Sequence, residues 1–196
     1  MNATTATPVV SQYGIVYLLP PPAAARHQQL FETIEARFGL TGRTRPNAPA
    51  HLTLKYCFEV ADVKPVIDTL ADFAATERPA PWRLEGFAAF SDGDQPTIFI
   101  DVRPSAAVRA AHGRLLDRLR AFDWMEWQRY DGPNLHFHAT LAHRGLTPKN
   151  FDAVWHFVNE LEPPRFELVF DNVALLLIEN DIHTVYRRFE MENTGG

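Results

Sequence analysis

The tetrapeptide His51-Leu52-Thr53-Leu54 recurs as His138-Ala139-Thr140-Leu141, and this repetition limits the folds open to the chain. In an extended strand successive side chains alternate between faces, so His and Thr at i and i+2 project together. The apolar residues between and after them point the other way, into a core. Each copy therefore reads as a strand offering an imidazole and a hydroxyl to one surface. Two such strands side by side would surround one pocket with two imidazoles and two hydroxyls.

The elements around the two copies repeat in the same order. Residues 13–19 are β-branched and aromatic and stop at Pro20-Pro21-Pro22, which predicts a strand. Residues 23–38 carry Leu30, Phe31, Ile34 and Phe38 at helical spacing and end at Gly39. A Pro- and Arg-containing loop over 41–50 leads into the first motif strand, 51–58. A helix is expected over 63–73, a strand over 82–90 and a turn over 91–96. The second pass begins with a strand over 97–102, a helix over 106–122 and a loop over 123–134. The second motif strand, 135–141, a helix over 151–161 and one long strand over 166–178 follow. Asn180-Asp181 is a turn signal, and residues 183–191 close a hairpin.

The two motif histidines stand 87 positions apart, and the strands that precede them start 84 apart, at Tyr13 and Thr97. So long a period indicates a doubled lobe rather than a solenoid. The expected architecture is α+β, a single two-lobed domain with one repeat over about 13–90 and the other over about 97–191. Each half is expected to form its own antiparallel sheet with helices on the outer face. The free sheet faces then meet, with the motif strands about a pseudo-twofold axis.

With these residues in hand, the chain resembles the 2H phosphoesterase superfamily, which includes 2′–5′ RNA ligase and cyclic nucleotide phosphodiesterase-like proteins. The resemblance rests on Pro49-Ala50-His51-Leu52-Thr53-Leu54-Lys55-Tyr56 and on Phe137-His138-Ala139-Thr140-Leu141-Ala142. The helices, the Gly86-Phe87 strand and the last hairpin extend it over nearly the whole chain. Phe137 stands where many RNA-ligase-like members have proline, and His143-Arg144 follow the second motif. The resemblance implies a reacting group that is a 2′,3′-cyclic phosphate or a 2′–5′ linkage, on a nucleotide or an RNA end. A 2′–5′ ligase activity, or a non-catalytic nucleotide- or RNA-binding module, are the alternatives.

The residue types suit that chemistry. Cleaving a phosphodiester requires a base on the attacking oxygen and an acid on the departing one. Imidazole fills either role near neutral pH, so His51 and His138 are the candidate catalytic pair, with acid and base undecided between them. Thr53 and Thr140 are candidate phosphate donors. Possible further contacts are Lys55 on the His51 face and His136 on the His138 face. Arg43, Arg45 and Arg144 are candidate phosphate clamps, and Tyr13, Phe90, Trp127 and Tyr130 candidate base-stacking faces. His27, His112, His156 and His183 read as surface or structural residues. Cys57 reads as a small core residue. His136 and His138 as a metal pair lack a third ligand at suitable spacing, so neither a metal nor a cofactor is expected.

The net charge of −5 argues against a broad nucleic-acid surface but is compatible with a cleft for one nucleotide or one RNA end. The single cysteine excludes an intrachain disulfide and suits a reducing cytoplasm. The apolar run over 14–20 is too short for a signal core or a membrane span. A cytoplasmic protein without a membrane partner is therefore expected, and no oligomer is required. Frayed ends are expected over 1–11 and 192–196.

Overall fold

The computed structural model describes residues 10–40, 48–92 and 94–192. Arg43, Arg45 and most of both expected frayed ends lie outside the described residues. The elements run β1 (Ser11–Leu18), α1 (Pro21–Phe38), β2 (His51–Val60), α2 (Lys64–Thr76), β3 (Ala80–Phe90), β4 (Thr97–Pro104), α3 (Ala106–Leu119), β5 (His138–Ala142), α4 (Phe151–Glu160), β6 (Arg165–Phe170), β7 (Asn172–Glu179) and β8 (Ile182–Glu190). Local signals explain their limits. Proline opens α1, where the first N–H needs no intrahelical partner, and Gly39 closes it in the left-handed conformation at φ 57°. Ser105 caps α3 by accepting from the Val108 N–H. Asn180 and Asp181 both take positive φ, the geometry of a two-residue hairpin turn.

Two four-stranded antiparallel sheets form the frame, in the orders β2-β1-β7-β8 and β5-β4-β3-β6. The two motif strands occupy equivalent edges, each beside the strand that opens its repeat. The expectation that each half of the chain makes its own sheet does not hold. β3, from the first half, pairs with β4 and β6, and the hairpin β7–β8, from the second half, joins β1. The halves are thus laced together by an exchange of strands, and one main apolar cluster runs through both.

The long strand expected over 166–178 is the element that makes this exchange. It breaks at Asp171: β6 pairs in one sheet and β7 in the other. Asn172 fixes the crossing point, its Oδ1 accepting from the Leu18 N–H at 3.0 Å and its Nδ2 donating to the Leu18 carbonyl at 3.2 Å. An alternating apolar pattern cannot signal a change of sheet, because both sheets bury the same kind of face.

The second motif strand also starts later than its pattern suggests, at His138 instead of 135. Leu135 and Phe137 are buried, but α3 holds them: Arg109 donates to the Leu135 carbonyl at 2.5 Å and lies over the Phe137 ring. α3 packs on β3 and β4, α2 on β7 and β8, and α1 crosses to β5 of the opposite sheet. That last contact brings a helix from the first repeat against the second motif. No described helix is long and apolar enough to cross a membrane.

Candidate functional site

The two motif edges touch. On β2, Leu52 and Leu54 are fully buried and leave His51 and Thr53 on the other face; on β5, Ala139 and Leu141 do the same for His138 and Thr140. Cross-strand neighbours on the first sheet are Leu18 opposite His51 and Val16 opposite Thr53, and Val16 and Leu18 form a small apolar cluster with Ala174 and Leu176. All four motif side chains line one cavity of about 40 Å³, together with His27, Gln28, Phe31, Ala48 and Pro49. That volume suits a small polar group rather than a whole nucleoside.

The imidazoles are oriented by the same device twice. His51 Nδ1 lies 2.7 Å from the Pro49 carbonyl and His138 Nδ1 lies 2.7 Å from the His136 carbonyl. A carbonyl only accepts, so each Nδ1 carries the proton and each neutral ring keeps a bare Nε2. Burial drives the His51 pKa down to about 4. The Pro49 bond opposes this, and the neighbouring His183, His27 and His138 add to it. His138 is also lowered, chiefly by burial. The His136 carbonyl and Asp101 oppose that shift, while the His136 and His143 rings reinforce it. In the free site both rings are therefore neutral at pH 7. Both rings have imidazole neighbours, and His138 has the Asp101 carboxylate in addition.

The secondary candidates divide. Phe90 is 40% exposed and its ring stands edge-on 5.3 Å from that of His138. His136 is tied by Nε2 to Asp101 Oδ1 at 2.8 Å, beside the cavity but not among its walls. Arg144 reaches Asp181 at 2.6 Å and thereby joins the end of β5 to the turn of the last hairpin. Tyr130 is exposed against Tyr56, and Trp127 is wedged between Lys55 and Arg120. Neither lines the cavity. Tyr13 is a core residue instead, 7% exposed and packed on Phe58 and Tyr186.

Lys55 is the clearest correction. It was expected on the His51 face, but β2 bulges against β1: Ile15 faces Lys55 while the next residue, Val16, faces Thr53. The extra residue inverts the alternation, and Lys55 turns inward with no exposed surface. Its ammonium pairs with Asp131 at 2.9 Å and donates to the carbonyls of Glu126 and Tyr56. Asp131 also accepts from the backbone N–H groups of Tyr56 and Gln128. Lys55 thus anchors the loop between α3 and β5 instead of meeting a phosphate.

Two histidines read as surface or structural stand at the site. His183 brings its ring within 6.0 Å of His51, because the last hairpin docks on β1, a pairing that no local pattern encodes. His27 lines the cavity and bonds the Thr140 carbonyl at 2.8 Å. Its signal was available: 27, 30, 31 and 34 form one helical stripe, so His27 belongs to the buried face of α1. His112 is structural, bonding the Leu54 carbonyl from α3, and His156 is exposed beside Glu160. Among the described residues no group of three or more His, Cys, Asp or Glu could hold a metal ion.

Comparison with known proteins bears on this constellation. The family model of the 2′-5′ RNA ligase superfamily matches residues 19–182, a span that includes both motifs. The chain belongs to this superfamily, the 2H phosphoesterases. A search of curated protein sequences gave no match. Solved structures of similar fold include E. coli LigT complexed with 3′-AMP, at TM-score 0.62 and 15% identity over 94% of this chain and 100% of that one. A structure described as a phosphoesterase has TM-score 0.61 and 14% identity over 93% and 99%. The protein TT0787 of Thermus thermophilus has TM-score 0.57 and 17% identity over 94% and 100%. The two-sheet frame is thus that of other 2H phosphoesterases.

Proposed function

We propose that this chain is a metal-independent phosphodiesterase acting on 2′,3′-cyclic phosphates or 2′–5′ linkages of nucleotides or RNA ends, in a reducing compartment such as the cytoplasm. One observation carries the reading: two imidazoles with bare Nε2 atoms and two threonine hydroxyls line the same small cavity. LigT has been solved with 3′-AMP, which supports a nucleotide as the ligand here.

In this reading one neutral imidazole removes a proton from the attacking water, and the water oxygen bonds to phosphorus. The bond from phosphorus to one ribose oxygen breaks, and the other imidazole, protonated, delivers its proton to that oxygen. The Thr53 and Thr140 hydroxyls donate to the non-bridging oxygens, where charge grows in the transition state. The acid must hold a proton that burial disfavours in the empty site. A bound phosphodiester anion supplies the opposite charge that restores it. Phe90, exposed beside His138, offers a face to the base.

The test is hydrolysis of 2′,3′-cyclic AMP and of short RNAs ending in a cyclic phosphate, with and without EDTA. His51→Ala and His138→Ala are each expected to cost roughly 10²–10⁴-fold while the proteins stay folded. Full activity in either variant would overturn the two-histidine mechanism. Tight nucleotide binding by the wild type without turnover of any cyclic substrate would identify a binding module instead.

A further inference from the structure

The two motif strands occupy equivalent places in the repeat, yet their surroundings differ at two positions. Opposite Thr53 stands Val16 and opposite Thr140 stands Phe99, both apolar. Opposite His51 stands Leu18, whereas opposite His138 stands Asp101. Residues directly opposite on an antiparallel pair share a face, with Cβ atoms roughly 5 Å apart. The second difference lies two residues before each histidine, where Pro49 and His136 supply the carbonyls that hold Nδ1. Proline has no side-chain donor, but the His136 ring donates through Nε2 to Asp101 Oδ1 at 2.8 Å. The same oxygen accepts from the Val102 N–H at 2.9 Å. The two exceptions to the repeat therefore hold each other, and both stand beside His138.

The hydrolysis proposed above, on which this inference rests, needs one imidazolium and one neutral imidazole at the same time. Burial disfavours the charge on both rings in the empty site, and a bound phosphodiester restores a proton to one of them. A carboxylate favours the charged form of a nearby ring and acts little on the neutral form. Asp101 is the anion among the groups that act on His138, where the His136 and His143 imidazoles oppose its charge. The groups that act on His51 are His183, His27 and His138, all imidazoles. The remaining charges around Asp101 are engaged or exposed. On its β3 side the bulge carries Glu85, whose carboxylate is paired with Arg83 and Arg165. Arg103, two residues on along β4, is exposed, and His143 is bonded to Thr97 Oγ1 at 2.8 Å.

We propose that Asp101, held in place by His136, is a positioning residue that keeps the proton on His138, so that His138 is the acid toward the ribose oxygen and His51 the base toward water. His51 Nε2 takes one hydrogen of the water, whose oxygen bonds to phosphorus and keeps the other. The bond from phosphorus to the ribose oxygen breaks, and that oxygen receives the proton from His138 Nε2. Solvent then removes the proton gained by His51 and returns one to His138. Asp101 and His136 neither gain nor lose a proton, and neither touches the substrate.

The experiment is the pH profile of kcat for 2′,3′-cyclic AMP, wild type against Asp101→Asn. The amide keeps an oxygen for the His136 and Val102 N–H groups and removes the charge alone. The alkaline limb of the profile reports the acid. In the variant it is expected to move down by about one unit, the low end of what a neighbouring charge produces. On that limb kcat then falls about tenfold, while the acidic limb stays in place and KM stays within about twofold of wild type. An unmoved alkaline limb overturns the proposal, and so does an equal loss of kcat at every pH, which would make Asp101 merely structural. Movement of the acidic limb instead also overturns it, by making His138 the base. Should Asp101→Asn fail to fold, NMR titration of the wild-type histidines in saturating inorganic phosphate decides the matter. His138 is expected to titrate above His51, and coincident or reversed values overturn the assignment while leaving the activity intact. No turnover of any cyclic substrate by the wild type is a distinct result, which removes the reaction and the acid role together.

Discussion

The depressed pKa of His51 makes a stability prediction that can be tested without any substrate. In the unfolded chain its imidazole titrates near 6.5, and in the folded protein near 4. Between those values the unfolded state binds a proton that the native state refuses, so stability rises with pH through the window. The contribution is fully present above pH 6.5, declines as the pH falls, and is exhausted below pH 4. A difference of about 2.5 units at ~1.36 kcal/mol each amounts to about 3 kcal/mol. About 2 kcal/mol of it is lost between pH 7 and pH 5. The assay is urea unfolding of wild type and His51→Asn at a series of pH values. The asparagine amide can still donate to the Pro49 carbonyl but does not titrate. His27, His112, His138 and His183 are also held below their ordinary values, mainly by burial, so both proteins should weaken in acid. The quantity of interest is the difference between the two curves, which should shift in favour of the variant by about 2 kcal/mol from pH 7 to pH 5. Parallel curves would refute the claim that His51 is held neutral by its surroundings. The picture of a site that rests with neutral imidazoles would then lose its physical footing. Inorganic phosphate at saturating concentration should narrow the window in wild type, because a bound anion favours the protonated ring.

Thr53→Val and Thr140→Val keep shape and remove the hydroxyl; each is expected to lower kcat on 2′,3′-cyclic AMP by roughly 10²-fold, and unchanged kcat in both would exclude hydroxyl stabilisation of the phosphoryl oxygens. Activity is expected to survive EDTA and to be unaffected by added zinc or magnesium, measured as initial rates; loss with chelator and rescue by metal would contradict acid–base chemistry alone. Lys55→Met leaves Asp131 buried without its cation and should cost about 3–5 kcal/mol in urea unfolding, whereas a near-neutral result would mean that Lys55 is not the anchor of the α3–β5 loop.

How much of this was legible in the chain depends on the range of the interaction involved. The His-x-Thr alternation is local: it put Leu52, Leu54, Ala139 and Leu141 in the core and the four polar side chains on the opposite face. The helices and the Asn180-Asp181 turn are local too, which is why their places agree with their patterns. The same reasoning failed at Lys55, because strand parity holds only between bulges and a bulge depends on the partner strand. It also failed over 166–178, because periodicity reports that a face is buried but not which sheet buries it.

The composition of the site divides in the same way. The amino-acid order determined that there are two imidazole–hydroxyl pairs on two strands of a doubled α+β chain. Tertiary structure alone decided that β2 and β5 share a cavity, that burial lowers the pKa of both motif histidines, and that α1 adds His27 to the second motif's pocket. Local order follows from backbone geometry and the polarity of near neighbours. Each motif ring's tautomer follows from a carbonyl two residues earlier, whereas its lowered pKa comes chiefly from burial, which the packing of distant parts of the chain provides.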